Sequence, residues 1–481
     1  MKRENQTGTP LFSALDAYKQ QNNLSFHVPG HKNGTVFPED MLSSFQSILP
    51  IDLTELTGLD DLHEPAGIIE KAESLAKTWF GSLQSYFLIG GSTVGNLAML
   101  LATCVPGENV IVQRNSHKSI LNGIELSGAI PIFVSPSYNQ KLNRYTNPSM
   151  DQYKEAIEQY PDAKAIVVTY PDYFGHTYDL KQLIDLAHDK NIPILVDEAH
   201  GVHFSIDHDS IPISAVKLGA DIVVQSAHKM APAMTMTAYL HYQSRLVDER
   251  RVKHYLSMLQ SSSPSYPLLA SLDVARYFLA NVKKEEITTI IQQISQVRAI
   301  FSQGNGWDVL PCEKGVDDPF KITLQVRDGY STDEIIHQFE AEGVFPELAT
   351  DKHILFILGL AKFSEEKRLE SVVKKITRKL KFVSKHATIE RKPIAFPKKI
   401  SKLVYNHDEM NQKEVNFCDW NTAIGKVVAE TVVPYPPGIP YLLRGERVTQ
   451  AHVETIHYLM KEKINFQQTN LEQGICVFEG E

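Results

Sequence analysis

No apolar run in this 481-residue chain approaches the length a membrane span needs; the longest, such as "AIVVTY" and "NLAMLLATCV", stop far short of about 20 residues. The start, "MKRENQTGTPLF", has no apolar core of the kind a secretory leader carries, so a cytoplasmic protein is expected. Cysteine is scarce. Cys104, Cys312, Cys418 and Cys476 lie far apart with no CxxC pair, which argues against a disulfide framework and for reduced thiols. A basic surplus is also missing: the formal net charge is −9, and no arginine-rich or aromatic-basic segment offsets it, so a nucleic-acid partner is not expected. There is no GxxxxGK[ST] loop and no HExxH, and with no firm ligand spacing among His200, His203, Asp207 and His208 no metal site is assigned. Repeats and low-complexity tracts are absent too.

What is present is the composition of a folded protein, 43% hydrophobic and 22% charged, over a length that suggests about three structural units. From Ala66 a helical pattern begins, with Ile68, Ile69, Ala72, Leu75, Ala76, Trp79 and Phe80 on one broad face and Gly81 as its stop. Short apolar runs and helical patterns then alternate: "SYFLIG", "NVIVQR", "AIVVTY", "PILVDE", "DIVVQS". Strands apolar on both faces and separated by helices predict an α/β fold with a mostly parallel, doubly covered sheet. The expected divisions are an N-terminal arm over 1–65, a large domain over 66–285, a small α+β domain over 286–385, and a Lys/Pro-rich linker with a C-terminal α+β domain over 386–481.

In such a sheet, ligands sit beyond the carboxyl ends of the strands, so the polar residues there carry the chemistry. "LIGGSTVGN" places Gly90, Gly91, Ser92 and Thr93 between a strand and a helix, where free N–H groups and hydroxyls form an anion cup; an ordinary helix cap accounts for the same letters. "RNSHKS" delivers His117 past another strand end, either to lie on an aromatic ligand or to cap a helix, and leaves Lys118 in a solvated first turn. "PILVDEAHG" ends a strand on Asp197, with Ala199 and His200 just beyond. "QSAHKMAPAM" ends the next on Ser226, His228 and Lys229, with Met230, Ala231, Pro232 and Met234 to desolvate the ammonium and lower its pKa. A lysine snorkelling from a strand end would look the same. Together, though, a phosphate cup, a carboxylate, a lysine and a stacking ring are the parts that hold pyridoxal 5′-phosphate, in which the carboxylate keeps the ring nitrogen protonated.

"FHVPGHKNG", "LDDLHEPAGII", "GGSTVGN", "RNSHKS", "VDEAHGVHF", "QSAHKM", "SSSPSYPLLASLD" and "VVPYPPGIP" occur in an order that resembles the bacterial Orn/Lys/Arg decarboxylases of the aspartate aminotransferase fold (fold type I). The resemblance covers nearly the whole chain and implies decarboxylation of a basic amino acid to a di- or polyamine. It implies that Lys229 anchors the cofactor covalently and Asp197 pairs with its ring nitrogen. Gly91, Ser92, Thr93, Ser226 and His228 would serve the phosphate, with His117 on one ring face and Ala199 on the other. Either His228 or His200 would move a proton or steer the substrate carboxylate. A homodimer is implied, with Ser261 and Ser263 reaching the partner subunit's phosphate. His31-Lys32 would lie near the site mouth. The distal cation would meet Asp52, Glu55, Asp60, Asp61 or Glu64, none singled out. Two departures stand out. Tyr170 and Asp172 of "TYPDYFG" replace the Asn and Thr of an Asn-Pro-Thr-Tyr-like segment, and no receiver-like domain precedes the large domain, so decamers built through one are not expected. An aminotransferase or other lyase of the same fold, or a cofactor-binding paralogue without turnover, would share Lys229 and Asp197.

Overall fold

The structure is a computed structural model that describes residues 5–21, 23–382, 396–435, 438–462, 464–466, 468 and 470–479. Most of the expected linker and the Pro436-Pro437 pair of "VVPYPPGIP" lie outside the described residues.

Eight strands form the central sheet: β1 Gln84–Leu88, β2 Asn109–Gln113, β3 Ile130–Val134, β4 Ile166–Thr169, β5 Ile194–Asp197, β6 Ile222–Ser226, β7 Ala238–Tyr242 and β8 Ile400–Lys402. Their order is β1-β7-β6-β5-β4-β2-β3-β8. Strands β6, β5, β4, β2 and β3 run parallel, β7 runs antiparallel between β1 and β6, and β8 closes the edge antiparallel to β3. Val110 to Val112, Ile166 to Val168 and Ile194 to Val196 are all fully buried, as a sheet covered by helices on both faces requires. The parallel strands and β1 end on the same edge, which gathers the turns after β1, β2, β5 and β6.

Two local features bring those turns together. Gly81, at φ 82°, ends the helix Ile68–Phe80, where a left-handed residue is needed. In the helix Gly91–Thr103, a Cβ on Gly95 would lie 2.7 Å from Val224 and 2.8 Å from Leu88, so only glycine lets the helix lie this close on β6 and β1.

The arm is less polar in its contacts than in its letters. Pro10–Lys19 is a helix with Leu11 and Leu15 fully buried, tied down by the Leu11 N–H donating to Asp273 Oδ2 at 3.0 Å. Its two leucines sit one helical turn apart, too short a pattern to stand out among polar neighbours. A second, four-stranded antiparallel sheet runs Trp307–Val309, Lys321–Val326, His353–Ile357, Leu348–Ala349 and carries the helices Lys284–Phe301, Thr332–Ala341 and Glu366–Lys379. Beyond β8, Trp420, Val428, Tyr441 and Ile456 belong to a separate small core. No helix among the described residues is long and apolar enough to cross a membrane.

Candidate active site

Asp197 ends β5 and is 3% exposed. Its Oδ1 accepts from the Ala199 N–H at 3.1 Å, and its Oδ2 accepts from Asn96 Nδ2 at 3.0 Å. Asn96 also donates to Ser119 Oγ at 2.9 Å, and Ser119 Oγ lies 2.8 Å from His117 Nδ1. Because Nδ1 also accepts from the Ser119 N–H, it carries a lone pair, and the ring proton sits on Nε2. His117 is therefore both a helix cap and an exposed ring facing outward. Four side chains from three segments hold the Asp197 carboxylate and the His117 ring in a fixed relation.

Lys229 sits on the short helix Ala227–Met230 that follows β6. Burial lowers its pKa, against the opposing charges of Asp197 and Glu347. Its Nζ lies 3.1 Å from His200 Nε2. His200 is held well below its usual pKa, first by burial and then by the Lys321 and Lys229 cations, so the neutral ring accepts at Nε2. The proton is left on Nδ1, which is buried without a hydrogen-bond partner among the described residues. The Tyr173 ring packs on His200 with centroids 4.5 Å apart.

Gly91, at φ 75°, donates its N–H to the Met236 carbonyl at 2.7 Å, and no side chain caps the helix that starts there. The first-turn N–H groups at Ser92 and Thr93 thus remain available to an anion. Ser226 Oγ donates to Ser92 Oγ at 2.9 Å, tying the end of β6 to this turn. His228 Nδ1 is 3.0 Å from the Thr237 carbonyl. Ser261 and Ser263 lie exposed in the loop between the helices Glu249–Leu259 and Tyr266–Asn281, with His63 Nε2 3.0 Å from the Ser261 carbonyl.

The structure separates the lysines of the other histidine-lysine pairs from this cluster. Lys118 is exposed at the first helical position, and the Lys32 ammonium donates to the His27 carbonyl while His31 faces Asp52 at 3.2 Å. Asp60 is occupied too, accepting from the N–H groups of Ala66, Gly67 and Ile69. The departures in "TYPDYFG" also find places. Tyr170 is buried, donating to the Ile213 carbonyl at 2.8 Å, and Asp172 pairs with Arg144 at 2.5 Å while accepting from the Phe174 and His176 N–H groups. Sequence reasoning missed Asn96, Tyr173, Lys321 and Glu347. Asn96 was signalled by its position one helical turn after Ser92, whereas Lys321 and Glu347 come from the second sheet and carry no local signal. Among the described residues no group of His, Cys, Asp and Glu side chains converges to hold a metal ion. A cavity of about 570 Å³, lined by His63, Glu73, Tyr86 and Gln260, includes none of the residues around Lys229.

Residues 9–317 match the family described as Orn/Lys/Arg decarboxylase, major domain, and residues 389–469 match its C-terminal domain. The chain belongs to the Orn/Lys/Arg decarboxylases. It is 41% identical over 469 residues to YaaO of Bacillus subtilis, described as an uncharacterized protein, covering 95% of this chain and 96% of that one. It is 34% identical over 480 residues to the arginine decarboxylase of the same organism (98% and 95% covered) and 22% identical over 557 to the constitutive lysine decarboxylase of Escherichia coli (94% and 77%). The solved structure of the latter superposes with a TM-score of 0.79 at 18% identity, covering 98% of this chain and 82% of that one. A serine palmitoyltransferase of Sphingomonas wittichii shares the fold at a TM-score of 0.54 and 15% identity (72% and 85%). The family and fold make this decarboxylase pyridoxal-phosphate dependent, and the uncapped helix start and the fixed Asp197 carboxylate fit that group.

Glu198 shows how the strand end divides its labour. Successive side chains of a strand face opposite ways, and Glu198 turns from the crevice into the core, fully buried. Its Oε1 accepts from the Ala215 N–H at 2.7 Å and its Oε2 from Gln225 Nε2 at 2.5 Å. Burial raises its pKa to about 8. A carboxyl whose folded pKa exceeds its unfolded value gives stability that is fully present below about 4.5 and is lost as pH rises through about 8. Glu198→Gln removes that titration, so the Tm of the variant relative to wild type is expected to climb between pH 5 and 8. A difference that stays flat across that range refutes a protonated Glu198.

Proposed function

We propose that this decarboxylase acts on a basic amino acid, with arginine preferred, and releases CO2 and the corresponding amine. The observation that carries the reading is the meeting of Lys229 and His200 at the ends of neighbouring strands, with Asp197 beside them. The preference for arginine rests on relatives at 34–35% identity that bear the name arginine decarboxylase, against 22–24% for those named lysine decarboxylase. Four free cysteines and the absence of a membrane-crossing helix among the described residues support a cytoplasmic enzyme. The exposed Ser261 and Ser263 support a dimer in which each subunit completes the other's phosphate site.

Bound pyridoxal phosphate supplies the electron sink for the pair of electrons left when the carboxylate departs. Lys229 would anchor it, and Asp197, held by Asn96 and Ala199, would keep its ring nitrogen protonated. Gly91, Ser92, Thr93 and Ser226, with His228 beside them, would bind its phosphate. His117 and Ala199 would cover its two faces. His200, whose neutral Nε2 lies 3.1 Å from Lys229 Nζ, would steer the substrate carboxylate or move a proton at that atom, with His228 the other candidate for the role.

The test is CO2 release from arginine, lysine and ornithine by the purified holoenzyme, with keto acid scored in parallel. Keto acid without CO2 would sink the reading. Asp197→Asn keeps the Asn96 contact but not the charge, and is expected to lower kcat about 10³-fold, the order seen when a group facing developing charge is lost. Absorbance of bound cofactor should persist in this variant, so binding and turnover are read separately.

A further inference from the structure

The distal cation of the substrate needs an anionic acceptor, and most carboxylates around the crevice are already committed. Asp197 holds Asn96 and Ala199, Asp172 holds Arg144, Asp317 faces His176 at 2.7 Å, and Asp318 faces His203 at 3.1 Å. Glu198 points into the core. Glu347 is different. It is exposed just before the strand Leu348–Ala349 of the second sheet, and among the described residues no lysine, arginine or histidine pairs with it within 4 Å. Its Oε1 accepts from the Tyr173 hydroxyl at 2.7 Å, which leaves Oε2 open. Through Tyr173 it is coupled to the reacting centre, because that ring lies on His200 and His200 touches Lys229. The Lys321 ammonium donates to the Tyr173 carbonyl at 2.7 Å and braces the same residue from the second sheet.

We infer that Glu347, oriented by Tyr173, is the specificity determinant that receives the distal guanidinium or ammonium of the substrate. The inference rests on the proposed decarboxylation of a basic amino acid and names the group that selects for it. One Glu347 oxygen is fixed by the phenol and the other is free, so a fork-shaped guanidinium can dock without first breaking an internal ion pair. The carboxylate arrives on the second sheet while Lys229 arrives on the first.

The experiment compares wild type, Glu347→Gln, Glu347→Asp and Tyr173→Phe holoenzymes on arginine and on citrulline, its uncharged isostere. Calorimetric titration with agmatine, the amine arginine leaves, runs alongside. In Glu347→Gln the KM for arginine is expected to rise ~10- to 100-fold with kcat nearly unchanged, the order for losing a hydrogen bond to a charged group. The arginine-to-citrulline ratio of kcat/KM should fall by the same factor, and the Kd of agmatine should rise with it. Glu347→Asp should recover part of the loss, and Tyr173→Phe should show a smaller loss. An exposed side chain making no buried contact leaves folding intact, which an unchanged Tm verifies. Arginine KM and agmatine Kd both within twofold of wild type in Glu347→Gln would overturn the inference while leaving the decarboxylase reading untouched. If wild type releases no CO2 from any basic amino acid, the proposed function falls, and the Glu347 assignment is decided by agmatine binding alone.

Discussion

Lys229→Ala is expected to lower CO2 release from arginine on the order of 10⁴-fold or more, the scale of loss when a residue that acts as part of a catalytic unit is removed. The visible absorbance of lysine-linked cofactor should vanish with it. A lysine becomes a nucleophile only when its amine can lose a proton near neutral pH, and burial beside His200 moves Lys229 in that direction. The charges of Asp197 and Glu347 oppose the shift. Lys229→Arg should be as inactive as the alanine variant despite keeping the charge, because a guanidinium cannot be deprotonated at this pH. Folding should be little affected in either variant, since the side chain is only partly buried and its hydrogen-bond partner, His200, is neutral. Activity of Lys229→Ala within tenfold of wild type would remove the residue from the mechanism.

The parallel sheet was legible because its strands repeat one pattern: apolar on both faces, then a polar residue at the exit. That pattern marks Asp197, Ser226 and His117 in the letters alone, since all of them lie within a few residues of a strand end. Lys229 was legible for the same reason, set in a short apolar turn. Tyr173, Lys321 and Glu347 were not. Each is remote in sequence from Lys229, and Lys321 reads locally as the polar start of an ordinary strand, "KITLQV". Its meaning emerges only when burial pushes its ammonium down to about 8 against Tyr173 and His200. The edge strand Ile400–Lys402 was hidden likewise, because a three-residue strand offers no periodicity and its partner β3 lies far back in the chain.

The same remoteness conceals the joint between the C-terminal unit and the site. Arg114 leaves the end of β2 three positions before His117, and its side chain is 3% exposed. It donates to Glu446 at 2.8 and 2.5 Å, to the Pro440 and Tyr441 carbonyls at 2.8 and 3.0 Å, and to Ser401 at 3.1 Å. Burial alone would push the Glu446 carboxyl up, but the Arg114 charge and hydrogen bonds outweigh it and hold the group below the usual range. Arg114→Met strips the cation and leaves Glu446, 6% exposed, without its partner. An uncompensated charge of that kind costs about 3–5 kcal/mol, which should show as a lower urea midpoint and faster proteolysis of the C-terminal unit. Adding Glu446→Leu removes the stranded charge as well, so the double variant should regain most of the loss; a buried pair is costly to halve and cheap to replace whole. The sign with pH follows from the depressed carboxyl. The stability it gives is present above about 4.5 and is lost as pH falls through the folded pKa, and both variants should lack that acid limb. A double variant no more stable than Arg114→Met alone would mean that the carbonyl contacts of Arg114, and not its charge on Glu446, clamp the C-terminal unit to the strand that presents His117.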